Sequence, residues 1–153
     1  MHLLRDNSAH LASSQPDGLA QRPYLEISTM SDPRHTLGRR GERAVLARLR
    51  RDGYRILARN WRHPQLGELD IVARHEDEIV FVEVRTRQGA RGHALQAALT
   101  SVDEAKQARL ITLAQAFLAA HGLENAPWRI DVAAVACTGS TVTVTILPDA
   151  VEW

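Results

Sequence analysis

Residues 69–86 read LDIVARHEDEIVFVEVRT: two β-rich runs, Leu69–Arg74 and Ile79–Thr86, on either side of the polar connection His75-Glu76-Asp77-Glu78. So short a link between two such runs predicts an antiparallel hairpin. The second run is apolar on both faces, as in a central strand covered from both sides, yet it carries Glu83 and Arg85. Side chains alternate along a strand, so Phe81, Glu83 and Arg85 share one face, and Val80, Val82 and Val84 the other. Asp70 sits in the same predicament between Leu69 and Ile71. A hairpin symmetric about its turn sets Asp70 opposite Glu83, with Cβ atoms about 4.5–5.5 Å apart, where like charges repel.

Three arrangements relieve that repulsion. One carboxyl takes a proton, Arg85 bridges both, or a divalent cation is shared between them. The last uses all the residues present. Hard oxygen donors without thiolate or clustered imidazole select Mg²⁺ or Mn²⁺ over zinc. Glu42 is a third candidate ligand, or the group that positions a water. Arg85 is placed to stabilise charge developing on a phosphoryl group.

The flanking sequence supplies the layers around this hairpin. Thr36 can cap a helix running to about Asp52, with Gly53 as its stop. Within it Glu42, Val45, Leu46 and Leu49 follow the i, i+3, i+4, i+7 spacing of one face. Tyr54–Arg62 reads as a further strand, followed by a loop marked by Pro64 and Gly67. Ser101 and Glu104 form a capping-box signature opening a helix to about His121, closed by Gly122. Trp128–Cys137 and Thr141–Leu147 are two more β-rich segments around the turn Thr138-Gly139-Ser140. The order αβββαββ predicts an α/β (α+β) domain, a mixed central sheet flanked by helices.

With 153 residues, 44% hydrophobic and 24% charged, the chain has the composition of one globular domain. Residues 36–153 are expected to form it. Residues 1–35, rich in Ser, Gln, Pro and Asp, read as a flexible tail. Met30 before Ser-Asp-Pro-Arg suggests a translation start downstream of Met1. Cys137 is the sole cysteine, so no internal disulfide or thiolate zinc site can form, and a reducing compartment is expected. No run approaches the roughly 20 apolar residues of a membrane span, and no signal-peptide pattern opens the chain. A cytoplasmic location without membrane contact is the expectation.

The net charge is +1, but nine arginines and only two acids lie between Arg39 and Arg62. Arg39, Arg40, Arg43, Arg50 and Arg51 fall mostly off the apolar stripe of the first helix, placed to track a phosphate backbone. Eighteen arginines stand against a single lysine, Lys106. Its stem lies on the core-facing stripe of the second helix, consistent with snorkelling or with a phosphate contact.

Gly38-Arg39-Arg40-Gly41-Glu42, Gly67-Glu68-Leu69-Asp70, Phe81-Val82-Glu83-Val84-Arg85 and Lys106 occur in the order and spacing of the YraN-like family. That family is largely uncharacterised. It is similar to the PD-(D/E)xK, restriction-endonuclease-like fold and its Holliday-junction-resolvase branch. The resemblance spans Leu37 to Val135. It implies a metal-dependent endonuclease acting on DNA, with branched structures among its substrates. Asp70 and Glu83 would be metal carboxylates, Glu42 the helix-borne acid, and Arg85 would stand where such nucleases usually carry a catalytic lysine. Arginine stays protonated, so at position 85 it offers charge and hydrogen bonds but no base. Such enzymes often act as symmetric pairs, although no heptad or apolar patch here marks a homodimer surface. Each site residue also has a structural alternative: an ion pair of Asp70 and Glu83 with Arg85 or Arg129, or a helix-dipole role for Glu42. A non-catalytic nucleic-acid-binding module is the second reading.

Overall fold

The computed structural model describes residues 32–151. Of the tail expected over residues 1–35, residues 1–31, with the alternative start, lie outside the described residues, while Asp32 to His35 form the cap and first turn of a helix. Helix α1 spans Pro33–Arg51, beginning four residues earlier than a cap at Thr36 would have it. The Asp32 carboxylate caps it, accepting the Arg34 N–H at 2.9 Å. Pro33 fills the first helical position, where its missing N–H costs nothing. The three strands that follow are β1 (Arg55–His63), β2 (Gly67–His75) and β3 (Glu78–Gln88).

Two helices come next. Helix α3 (Glu104–Ala120) is the one expected, but α2 (Arg91–Thr100) is additional. The order is therefore αβββααββ. Helix α2 escapes a periodicity reading because its buried residues are two alanines, Ala94 and Ala98. Its presence also reassigns Ser101, which closes α2, while Asp103 caps α3 by accepting the Lys106 N–H at 2.8 Å. Strands β4 (Trp128–Thr138) and β5 (Thr141–Leu147) complete the chain.

The five strands form one mixed sheet in the order β1-β2-β3-β4-β5. β3 and β4 are parallel and joined through α2 and α3; the other pairs are antiparallel. β3 therefore lies at the centre with both faces covered, which explains its unbroken apolar character. On one face Val45, Leu46 and Leu49 of α1 pack on Ile71, Val80 and Val82. On the other, Leu110, Leu113 and Phe117 of α3 pack on Val72, Phe81 and Ile130. Phe81 and Phe117 meet edge to face at 5.8 Å. Cys137 is buried within the α1-side core. Among the described residues no helix is long and apolar enough to cross a membrane.

Candidate functional site

The β2–β3 ladder runs from His75–Glu78 to Ile71–Val82, the register of a symmetric hairpin, and ends there. At the next step the Asp70 side chain takes over from the backbone: its carboxylate accepts the Val84 N–H at 2.8 Å. On the other side of β2, the ladder to β1 keeps its register from Arg59–Ile71 to Trp61–Leu69, with Asn60 of β1 between them at φ 48°. The Asp70 carboxylate occupies the seam where β2 and β3 part.

Glu83 is 5% exposed, on the face it shares with Phe81. One of its oxygens, Oε1, receives Arg85 Nη2 and Lys106 Nζ, each at 3.1 Å. Lys106 comes from the first turn of α3, where the Asp103 cap anchors its backbone. Glu42 arrives from the opposite face. A Cβ at Gly41 would stand 2.9 Å from Thr86 Cβ and 3.0 Å from its Cγ2, so glycine is what lets α1 sit this close to the end of β3. Glu42, Asp70 and Arg85 together line a cleft of about 520 Å³, with Arg34, Leu37 and Gly38 of α1 and Thr86, Arg87 and Gln88 of β3.

The electrostatics follow from this placement. Burial, then the negative charge of Glu83, raise the Asp70 carboxyl to about 6, with Glu42 adding to the rise and the Val84 N–H and Lys106 opposing it. Of the three expected solutions to the Asp70–Glu83 repulsion, two are visible in part. Arg85 and Lys106 neutralise Glu83 rather than bridging to Asp70, and Asp70 holds its proton more tightly than an ordinary carboxyl.

The donor chemistry would fit a hard divalent cation: Asp70 and Glu42 line one cleft, and at Asp70 burial and the charges of Glu83 and Glu42 outweigh the Val84 N–H and Lys106. The set is open rather than caged: among the described residues no three His, Cys, Asp or Glu side chains converge as a metal cluster. Mg²⁺, which keeps several waters and takes one or two carboxylates plus substrate phosphates, would need no more protein ligands than Asp70 and one neighbouring acid.

The predicted phosphate-binding arginines divide. Arg39, Arg43, Arg50 and Arg51 are exposed along α1, and Arg51 lies 3.7 Å from Asp52. Arg40 instead donates to the carbonyls of Gly139 and Ser140 at 2.8 and 2.6 Å, tying α1 to the β4–β5 turn. Lys106, expected either to snorkel or to reach phosphate, turns inward to Glu83. Arg129 is no partner of the site. Its guanidinium engages Glu78, Asp131 at 2.8 Å and the Tyr54 hydroxyl at 3.1 Å. Arg34 and Arg87 went unrecognised in the sequence. Arg87 alternates with Arg85 along β3, a signal that was available; Arg34 becomes visible once the helix is known to start at Pro33.

Comparison with known proteins places the sequence. Residues 41–135 match the model of the uncharacterised protein family UPF0102. The chain belongs to that family. A UPF0102 protein of Roseiflexus castenholzii is 49% identical over 126 residues, covering 80% of this chain and 98% of the relative. One from Nitratidesulfovibrio vulgaris is 42% identical over 123 residues, covering 80% and 89%. A third, from Stutzerimonas stutzeri, is 43% identical over 116 residues, covering 75% and 93%. The YraN-like resemblance of the motifs is therefore borne out. The matched UPF0102 segment contains Glu42, Asp70, Glu83, Arg85 and Lys106, and none of these relatives carries an activity in its name.

Proposed function

We propose that this UPF0102 member is a Mg²⁺- or Mn²⁺-dependent DNA endonuclease of the cytoplasm, hydrolysing phosphodiester bonds in the cleft at the end of β3. The observation that carries this reading is the Asp70 carboxylate, held at the strand seam with its pKa raised by burial and by Glu83 and Glu42, while Glu42 and three arginines line the same cleft. Asp70 would hold the ion with Glu42 or Glu83, the remaining positions being filled by water and a phosphate oxygen. Bound there, the ion supplies a water of lowered pKa and a positive charge beside the phosphoryl oxygens.

The chain's own residues do the rest. Arg85, 24% exposed at its side chain and already oriented by Glu83, offers fixed positive charge where charge grows on the phosphoryl group. Lys106 holds the second oxygen-rich arm, Glu83, in place. Arg39, Arg43 and Arg50, exposed along α1, would serve more distant phosphates. Labelled linear, flapped and four-way-junction DNA, incubated with Mg²⁺, Mn²⁺ or EDTA, tests the proposal. Wild type should cut in metal, and Asp70→Asn should reduce cutting to background while still binding DNA. Undiminished cleavage by Asp70→Asn would remove Asp70 from the mechanism.

One observation favours a second reading, a non-catalytic nucleic-acid-binding module. Glu83 already has two cationic partners and so is least in need of a metal. On this reading DNA binding falls with salt but is indifferent to Mg²⁺ and EDTA, and no substrate is cut.

A further inference from the structure

The cleft has fixed walls. Gly41 on α1 abuts Thr86 on β3 so closely that no side chain fits between them, and the two elements share the buried core of Val45, Leu46, Val80 and Val82. Such a wall does not part to admit a wide ligand. Asp70 lines the cleft at the strand seam, while Glu83, 5% exposed, is buried against Arg85 and Lys106. A phosphate on an intact duplex is carried on a stiff, broad surface. A strand without its complement can bend and lay a single nucleotide into a cleft of this size.

Gly38 shows where such a strand would pass. It lines the cleft, yet a Cβ built there meets nothing within 4 Å. Packing therefore does not demand glycine at this place in α1, and what glycine leaves is room. Leu37 and Val84 give that room an apolar side, while Arg34 and Arg87 give it a cationic one. The lining has the two components a nucleotide needs, a surface for the base and charge for the phosphate, within about 520 Å³. It includes no aromatic ring, so the phosphates must dominate the contact.

Resting on the nuclease reading for its chemistry, we propose that the cleft is specific for an unpaired DNA strand, a free end, flap or single-stranded stretch. One nucleotide sits beside Gly38, and its phosphates face Arg34, Arg85 and Arg87. Three such contacts on a single strand give a slope of log affinity against log salt of roughly −2, with little preference among bases.

Fluorescence anisotropy on the full chain in EDTA, using a labelled oligo-dT and a blunt duplex of equal length, tests the binding, and the same oligonucleotides in Mg²⁺ test cutting. The expected result is at least about tenfold tighter binding of the single strand. Gly38→Leu should remove most of that preference, with a melting temperature no lower than wild type because leucine is the better helix former. Arg87→Ala, at an exposed position, should weaken single-strand binding and flatten the salt slope by about 0.7 if Gly38→Leu fails to fold. Equal binding of duplex and single strand, or an unaltered preference in both variants, would overturn the inference. Cutting of intact duplex away from its ends would do so as well, while leaving the nuclease standing. Preferential single-strand binding with no cutting in any metal would support the cleft's specificity and retire the nuclease.

Discussion

Two charged clusters flank β3, and they are built in opposite ways. Where β3 and β4 begin, on the α1 face, Arg129 gathers Glu78, Asp131 and Tyr54, and Asp131 also accepts the Asp149 N–H at 2.9 Å. Asp131 is 0% exposed, but a cation and two kinds of donor surround it. Burial alone would lower the Arg129 guanidinium, and the hydrogen bond and charge of Asp131, with Glu78, outweigh that and raise it. Toward the other end of β3, burial and like charge both push Asp70 upward. A compensated cluster secures a fold. At the Asp70 end the cations pair with Glu83, and the electrostatic cost left at Asp70 is relieved by a proton or by a ligand, as at many functional sites.

The sharpest break between them is predicted at Arg129. Replacing it with Met leaves Asp131 buried without a counter-charge, and breaking such a pair costs about 3–5 kcal/mol. Urea denaturation should show the unfolding free energy fall by that amount, with the midpoint lowered accordingly. Lys106→Met at the other cluster should cost clearly less, because Glu83 keeps Arg85. Equal losses would mean the two clusters are alike, and the distinction would fail.

Next in size is Asp70 itself. Its folded pKa of about 6 lies above the ordinary 3.8, so between these values the native state binds more protons than the unfolded chain. Stability therefore falls as pH rises through that window and stays reduced above it. A shift of about two units corresponds to on the order of 3 kcal/mol. In EDTA, Asp70→Asn should be more stable than wild type at pH 7 by up to that amount and indistinguishable near pH 4, since Asn can still accept the Val84 N–H. A variant that loses stability at pH 7 would place Asp70 among the structural residues with Asp131.

Gly41→Ala should have a smaller effect of opposite sign. The added methyl group meets Thr86, and overpacking of this kind costs about 1–3 kcal/mol, partly offset by about 1 kcal/mol of helix propensity. Thermal unfolding should show a net loss. Gly38→Ala, with open space around it, should show none.

What was legible in the sequence divides along the same lines. The hairpin register was readable because alternation has a period of two and both faces of β3 are buried; any slip would have turned Phe81 and Val82 to the wrong sides. That register brought Asp70 within electrostatic reach of Glu83, although the ladder stops one pair short of them, at Ile71–Val82. Helix α2 was not readable, since Ala94 and Ala98 make no apolar stripe. The cap of α1 was misread because Thr36 and Asp32 are both competent caps, and Pro33, the feature that discriminates, was assigned to the tail. The partner of Lys106 was unreadable for a different reason. A long, flexible side chain on a core-facing position can turn to solvent or to a buried acid, and the Asp103 cap and the depth of Glu83 decide between them.

The smallest effect calibrates the rest. Asp52 lies at the end of α1, paired with Arg48 at 2.5 Å and facing Arg51. The hydrogen bond from Arg48 lowers its pKa; burial opposes it, and the charges of Arg48 and Arg51 add to the lowering. The sign is the reverse of that at Asp70: a depressed carboxyl contributes stability above its ordinary pKa of 3.8, lost as pH falls through the folded value. Solvent and salt screen an exposed i, i+4 pair of this kind, so its contribution sits at the foot of the scale. Difference curves of stability against pH for Asp70→Asn and Asp52→Asn should therefore bend in separate windows and in opposite directions. The Asp52 curve should flatten in 1 M salt, while the Asp70 curve, arising from burial, should persist. If salt erased both, the charge at Asp70 would be a surface effect, and the contrast between the two ends of β3 would reduce to exposure alone.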